Sequence, residues 1–220
     1  MDSLPGDSPA ADNLEKLARD VNSCQKCPLY RVATRGVPGE GPPNAKILFI
    51  GEAPGYYEDQ QGRPFVGAAG QLLEEVLGLI GLTRRDVYIT NILKHRPPGN
   101  RDPERSEIEA CGEYLDRQLT LIRPRLICTL GRFSMARFFP PKSMRELHGR
   151  SVRYGDATCY ALYHPAAALR DPRVKDLFVE DFRRIPEVLA QAEAAAARAP
   201  AESPSQNPPG EPSGEQLSLF

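Results

Sequence analysis

A carboxylate, a side-chain amide and an imidazole each stand at the end of a short apolar run in this chain. Glu52 follows Ile47-Leu48-Phe49-Ile50-Gly51, Asn91 sits near the end of Val87-Tyr88-Ile89-Thr90-Asn91-Ile92, and His164 follows the run over residues 158–163. Such runs, bounded by turn residues, predict strands buried on both faces. Open α/β sheets bind ligands at the carboxyl ends of such strands, so the three groups belong to one candidate site. Glu52 lies in the turn Gly51-Glu52-Ala53-Pro54-Gly55 with no basic neighbour, and Phe65 lies in a loop between Pro64 and Gly67, where packing alone rarely needs an aromatic. A second kind of chemistry is carried by Cys24-Gln25-Lys26-Cys27. A redox CxxC pair is expected between a strand tip and a helix start. This one follows a helical pattern (Leu14, Leu17, Ala18, Val21) and runs into Pro28, a placement that favours a metal or iron–sulfur clip.

The elements that must position these groups alternate. Strands are predicted over residues 47–50, 87–92, 125–131 and 158–163, with a short extra strand over 151–154. Helices are predicted over 70–80, 104–122, 133–139 and 174–191, the last bent at Pro186. The stretch from Gly55 to Pro64 and the stretch 166–170 read as loops, and 94–101 reads as an irregular basic loop. Alternation of this kind implies right-handed crossovers and a parallel sheet with helices on both faces, a three-layer α/β/α sandwich with four parallel strands. Glu52, Asn91, Gly131 and His164 then share one sheet edge.

Composition bounds the rest. The 220 residues suffice for one core with tails to spare. No apolar run is long enough to span a membrane, and the acidic, Pro- and Ser-containing start has no secretion pattern, so a cytoplasmic, nucleoid-associated protein is expected. Five cysteines, an odd number, argue against a disulfide framework. The chain carries a net −1, with −3 in residues 1–12 and −3 in residues 191–220, which leaves +5 on the domain between them. A basic core with acidic ends suits a nucleic-acid partner. Residues 1–12 and 192–220 are read as disordered on composition, flanking a single domain over 13–191.

The string Lys46–Gln71, KILFIGEAPGYYEDQQGRPFVGAAGQ, resembles the first motif of the family 4, iron–sulfur uracil-DNA glycosylases. Residues Tyr88–Asn91 with Lys94–Arg101, and Tyr163-His164-Pro165 through Arg170, resemble the second and last motifs, so the likeness covers roughly residues 14–190. The resemblance implies a monomeric enzyme that flips uracil out of DNA and hydrolyses its N-glycosidic bond to begin base-excision repair. The residue chemistry fits. Phe65 offers a platform for a flipped pyrimidine. The Asn91 amide matches the O4 acceptor and N3 donor of uracil. His164 is the natural donor to the oxyanion that forms on O2, and Glu52 is the candidate to orient water. The resemblance places Glu58 against the space of a thymine methyl group. It also puts Ala53 where another glycosylase family has an aspartate. Gly67 and Gly70, at a helix start, offer N–H groups to a phosphate. Leu169 and Arg170 match a minor-groove wedge and its phosphate contact.

The resemblance further implies a [4Fe–4S] cluster on Cys24, Cys27 and Cys111. The family has a cysteine where this chain has His95, so the fourth ligand is read as His95, with a displaced Cys128, inside the third strand, as the alternative. Imidazole does replace thiolate in Rieske centres. A related branch that becomes trapped on DNA carries an extra basic loop with a reactive histidine. The short 96–103 segment has none, which implies turnover. At the end of the chain, Gln216-Leu217-Ser218-Leu219-Phe220 resembles the bacterial sliding-clamp-binding pentapeptide. Two other classes stay open on sequence. One is a catalytically silent iron–sulfur DNA-binding module tethered to the clamp, and the other is a zinc or redox protein built on Cys24 and Cys27.

Overall fold

A computed structural model describes residues 12–198 of the chain. The segment 1–11 and the tail from 199, with Gln216, Leu217, Leu219 and Phe220, lie outside the described residues. Strands β1 (Ile47–Gly51), β2 (Tyr88–Asn91), β3 (Leu126–Leu130), β4 (Ser151–Tyr154) and β5 (Ala157–Leu162) form one sheet in the order β2-β1-β3-β5-β4. The first four in that order are parallel, as expected. The short stretch 151–154 is a full fifth strand, antiparallel to β5 through a turn at Gly155 and Asp156, so the sheet has five strands rather than four. The reason is local: Tyr154 pairs with Ala157, and Gly155 supplies the positive φ that the two-residue turn needs. Strand β4, mostly exposed and carrying Arg153, suits an edge.

Burial on both faces explains the unbroken apolar runs. Leu48 and Ile50 of β1 point into a core with Leu17, Val21, Tyr114 and Leu115 from helices α1 (Leu14–Asn22) and α4 (Arg105–Ile122). Ile47 and Phe49 point the other way, against α3 (Ala68–Leu79), α8 (Pro172–Arg183) and α9 (Ile185–Arg198). On that side Phe49 and Phe182 stack at 5.5 Å between ring centroids.

Several segments differ from the sequence reading. The polar stretch after Gly55 is a short helix, α2 (Tyr56–Gln61), closed by Gly62 in the left-handed region. The stretch expected as a wedge loop is helix α7 (Pro165–Arg170), which starts on a proline whose missing N–H costs nothing at that position. The last predicted helix is two, because Pro186 cannot donate to the preceding turn and α8 ends at Arg183. Helix α9 then runs to Arg198, beyond the boundary expected at 191, and buries Ala192. Asp12 is not loose either; both its carboxylate oxygens accept from Arg117, at 2.9 and 2.6 Å. Among the described residues no helix is long and apolar enough to cross a membrane.

Candidate active site at the carboxyl edge of the sheet

A cleft of about 750 Å³ opens where β1, β2, β3 and β5 end. Glu52, Ala53, Glu58, Phe65, Gly67, Asn91, His164 and Arg170 all line it. The parallel register aligns the tips: Gly51 pairs with Asn91, and the N–H groups of Ile92 and Leu93 donate to the carbonyls of Gly51 and Glu52 at 3.1 and 3.0 Å. Glycine is required at the β1 tip for a steric reason. A Cβ on Gly51 would lie 2.3 Å from Asn91 Oδ1 and 2.5 Å from Phe65 Cζ.

Asn91 forms the floor. It is buried, and its Oδ1 has no hydrogen-bond partner among the described residues. An orphaned buried acceptor is costly, of order 1–3 kcal/mol, unless a ligand satisfies it. The backbone of Asn91 is fixed from below. Lys94, with no exposed surface, donates its Nζ to the Asn91 carbonyl, Thr90 Oγ1 and Gln118 Oε1, each at 2.7 Å. Burial pushes this ammonium down to about 8. Lys94 is therefore no part of a DNA-facing basic loop, and Arg101 is also committed, to Glu107 at 2.6 and 2.9 Å.

Phe65 packs beside the amide at φ +53°, in the left-handed region, a strained conformation of order 1–2 kcal/mol for such a residue. Two features over-determine it. Arg84 donates to the Phe65 and Pro64 carbonyls at 2.8 and 2.6 Å and is itself held by Glu40. Gly70 leaves room for that carbonyl, since a Cβ there would sit 1.8 Å from it. Gly70 thus acts sterically beneath Phe65 and does not line the cleft. Gly67 does, but its N–H and that of Val66 already donate to Glu58 Oε1 at 2.9 and 2.8 Å. The phosphate site expected at this helix start is occupied by a carboxylate, which is how Glu58 is held in place.

His164 faces Phe65 with ring centroids 5.7 Å apart. Its Nδ1 accepts from the Ala166 N–H at 3.1 Å, which assigns the ring proton to Nε2. Burial, aided by the charge of Arg170, pushes the imidazole down to about 4, so it is neutral near pH 7. Gly131 (φ +93°) makes way for it, with a Cβ there only 3.0 Å from His164 Cβ. Glu52 is half-buried, and its carboxyl is raised by burial and by Asp102, opposed by Arg132 and Arg170. Leu169 is 49% exposed on α7 beside Arg170. Among the described residues Arg170 makes no ion pair.

The cysteines fall on two sides of the sheet. Cys111 is buried in the α1/α4 core, with Cys24 and Cys27 packed against it. Its thiol is raised to about 11, chiefly by burial and further by the other two, and its Sγ accepts from the Lys94 N–H at 3.3 Å. Cys128 is in the opposite core with Phe49 and Tyr160. The sheet separates it from the other three, so the displaced-ligand alternative is withdrawn. His95 is buried, with its imidazole lowered by burial against the opposing charge of Asp59. Among the described residues no three of these side chains close to metal-binding geometry. Cys159 is core.

Known proteins share much of this sequence. Residues 38–185 match the family model described as the uracil DNA glycosylase superfamily. The chain is 47% identical over 187 residues to the type-4 uracil-DNA glycosylase of Sulfurisphaera tokodaii, covering 80% of this chain and 85% of that one. It is 44% identical over 194 residues to the type-4 enzyme of Archaeoglobus fulgidus (83% and 96%), and 38% identical over 176 residues to that of Thermotoga maritima (78% and 92%). This chain belongs to the type-4 uracil-DNA glycosylase family.

Sequence reasoning missed Arg84, Gln118 and the buried role of Lys94. Arg84 sits in a turn whose neighbours give no sign of its burial. Lys94 follows the apolar pair Ile92-Leu93, a hint that the backbone is still inside. Also missed was the pair His148 Nδ1 and Asp181 Oδ2, 2.7 Å apart, with the His148 ring 4.9 Å from that of Tyr163 at the cleft.

Proposed function

We propose that the cleft at the strand tips is where this glycosylase binds a flipped uracil and hydrolyses its bond to the sugar, starting base-excision repair. The observation that carries the reading is the unpaired Asn91 Oδ1 on the cleft floor. Uracil N3–H satisfies it, while the amide N–H₂ donates to O4. Phe65 stacks on the ring. Glu58, held by the Val66 and Gly67 amides, fills the space a thymine methyl would need. As the glycosidic bond breaks, negative charge gathers on O2, and His164 Nε2–H donates to it. A neutral imidazole suits this role, because it stabilises the leaving anion without having to lose its proton. Glu52, with Ala53 beside it, orients the water that attacks C1′. Arg170 takes a backbone phosphate and Leu169 fills the gap in the stack. A silent DNA-binding module would have no use for this convergence.

Cys24, Cys27 and Cys111 fit an iron–sulfur cluster in donor type, in sharing one side of the sheet, and in the N–H from Lys94 to Cys111. His95, the next residue in the chain, is the remaining candidate ligand. When bound, a [4Fe–4S] cluster supplies a clip between α1, the segment after β2, and α4. The C-terminal residues Gln216 to Phe220 are read as a sliding-clamp tether. Deleting them should abolish clamp binding, and equal binding by both forms would refute the tether.

The direct test offers uracil- and thymine-containing oligonucleotides to the protein and looks for alkali-labile abasic sites. Breaks at uracil alone are expected. No breaks at uracil would overturn the reading.

A further inference from the structure

A cleft that takes a flipped uracil holds one base of a strand, and that strand must continue over the rim on both sides. One rim is α7, with Leu169 and Arg170. The other is the first turn of α2, which presents Tyr56 and Tyr57, 54% and 59% exposed, and both line the cleft. Adjacent exposed aromatics are unusual on a surface that packing does not explain. Helix α2 is anchored from behind. Asp59 is buried and accepts from Thr34 N–H and Oγ1–H at 2.8 and 2.7 Å, while Glu58 is fixed by the Val66 and Gly67 amides. The two rings are therefore held outward on a fixed base. Their planes are nearly perpendicular (80°, centroids 5.4 Å apart). The Arg96 guanidinium lies over the Tyr56 ring at 5.2 Å, and its Nε donates to Asn100 Oδ1 at 2.7 Å. Neither tyrosine hydroxyl has a hydrogen-bond partner among the described residues, so the rings are not there to serve an internal network.

We propose that Tyr56 and Tyr57 form a stacking platform for the nucleobases that flank the flipped nucleotide. The proposal rests on the uracil-excising reading of the cleft and adds a second, sequence-tolerant subsite to it. Every base has a π-face, so aromatic stacking holds a strand without reading it, and guanidinium groups nearby follow its phosphates. The chemistry fits an unpaired strand, whose bases are free to stack on protein, more closely than a duplex, whose bases stack on each other. Continuity with the cleft proposed to take the flipped base, Arg96 over the Tyr56 ring, and Arg170 on the facing rim favour nucleic acid over a protein or lipid partner.

The test is a cycle between protein and substrate. Dissociation constants are measured for a single-stranded oligonucleotide containing one uracil, and for the same strand with abasic spacers on both sides of the uracil. The parent should lose roughly tenfold in affinity when the flanking bases are removed. The Y56A/Y57A double variant should bind the intact strand roughly tenfold more weakly and no longer distinguish the two strands. Y56F/Y57F should behave as the parent. Because both side chains are exposed, the variants should melt at the parent's temperature. A double alanine variant that keeps the full flanking-base effect would overturn the platform while leaving uracil excision standing. A parent that cuts no uracil would overturn the underlying reading instead.

Discussion

The strand-tip edge and the α1/α4 layer are built on opposite rules. At the edge, Phe65 is held at a positive φ, Asn91 Oδ1 has no partner among the described residues, and His164 is half-buried and neutral. In the layer, Cys24, Cys27 and Cys111 lie among packed apolar side chains, and the one fully buried cation there, Lys94, makes three hydrogen bonds. At the edge the local cost faces the cleft; in the layer it is mostly met from within, the exception among the described residues being Arg137 Nε, a buried donor without a partner beside α4. Lys94 joins the two regions: its Nζ grips the Asn91 carbonyl and its N–H reaches Cys111 Sγ.

The largest effect should come from the edge. His164→Ala removes the donor to the developing oxyanion and should slow single-turnover excision on the order of 10²–10³-fold. A variant as fast as the parent would end that role. The same residue sets a pH dependence. Its folded value, about 4, lies below the ordinary histidine value, so between the two the unfolded chain binds a proton that the folded chain does not. Stability should therefore rise with pH from about 4 to about 6.5, and His164→Ala should flatten that slope in denaturation measured across the window.

A smaller effect should follow from relaxing the strain without touching the cleft. Arg84→Met keeps bulk but loses both donors to the 64–65 carbonyls, so Phe65 can leave its left-handed conformation. A fall of about tenfold in kcat/KM is expected, carried mainly by KM because the ring binds the base before the chemical step. Unchanged kinetics would mean that Gly70 and packing hold Phe65 alone.

The sheet was legible because its strands are buried on both faces and read as unbroken apolar runs. The convergence of Glu52, Asn91 and His164 followed from parallel topology. What sequence could not give was the side-chain wiring. Lys94 is chemically identical to a DNA-facing lysine and differs only in pointing inward. Glu58 was assigned to the cleft by resemblance, but that it takes the N–H groups of a helix start expected to hold phosphate depends on how α2 folds back. Cys128 was the alternative cluster ligand until the structure showed which face of β3 meets α1 and α4. The period of two along β3 puts it with Leu126 and Leu130, away from Ile127 and the α1/α4 side.

That last point gives the smallest predicted effect on catalysis and the sharpest test of the comparison. If the thiol layer is a clip and the strand tips do the chemistry, then Cys128→Ser should leave iron content and visible absorption as in the parent. Its cost should appear as lost stability, about 1–3 kcal/mol for a hydroxyl buried among Phe49, Leu130 and Tyr160. Cys111→Ser and His95→Ala should lose the absorption and lower the thermal midpoint. Whatever fraction stays folded should excise uracil within about threefold of the parent, since neither residue lines the cleft. Loss of absorption in Cys128→Ser with retention in His95→Ala would reverse the ligand assignment. A much larger fall in the excision rate of folded Cys111→Ser would show that Lys94 transmits the state of the thiol layer to Asn91, and the two regions would then have to be treated as one.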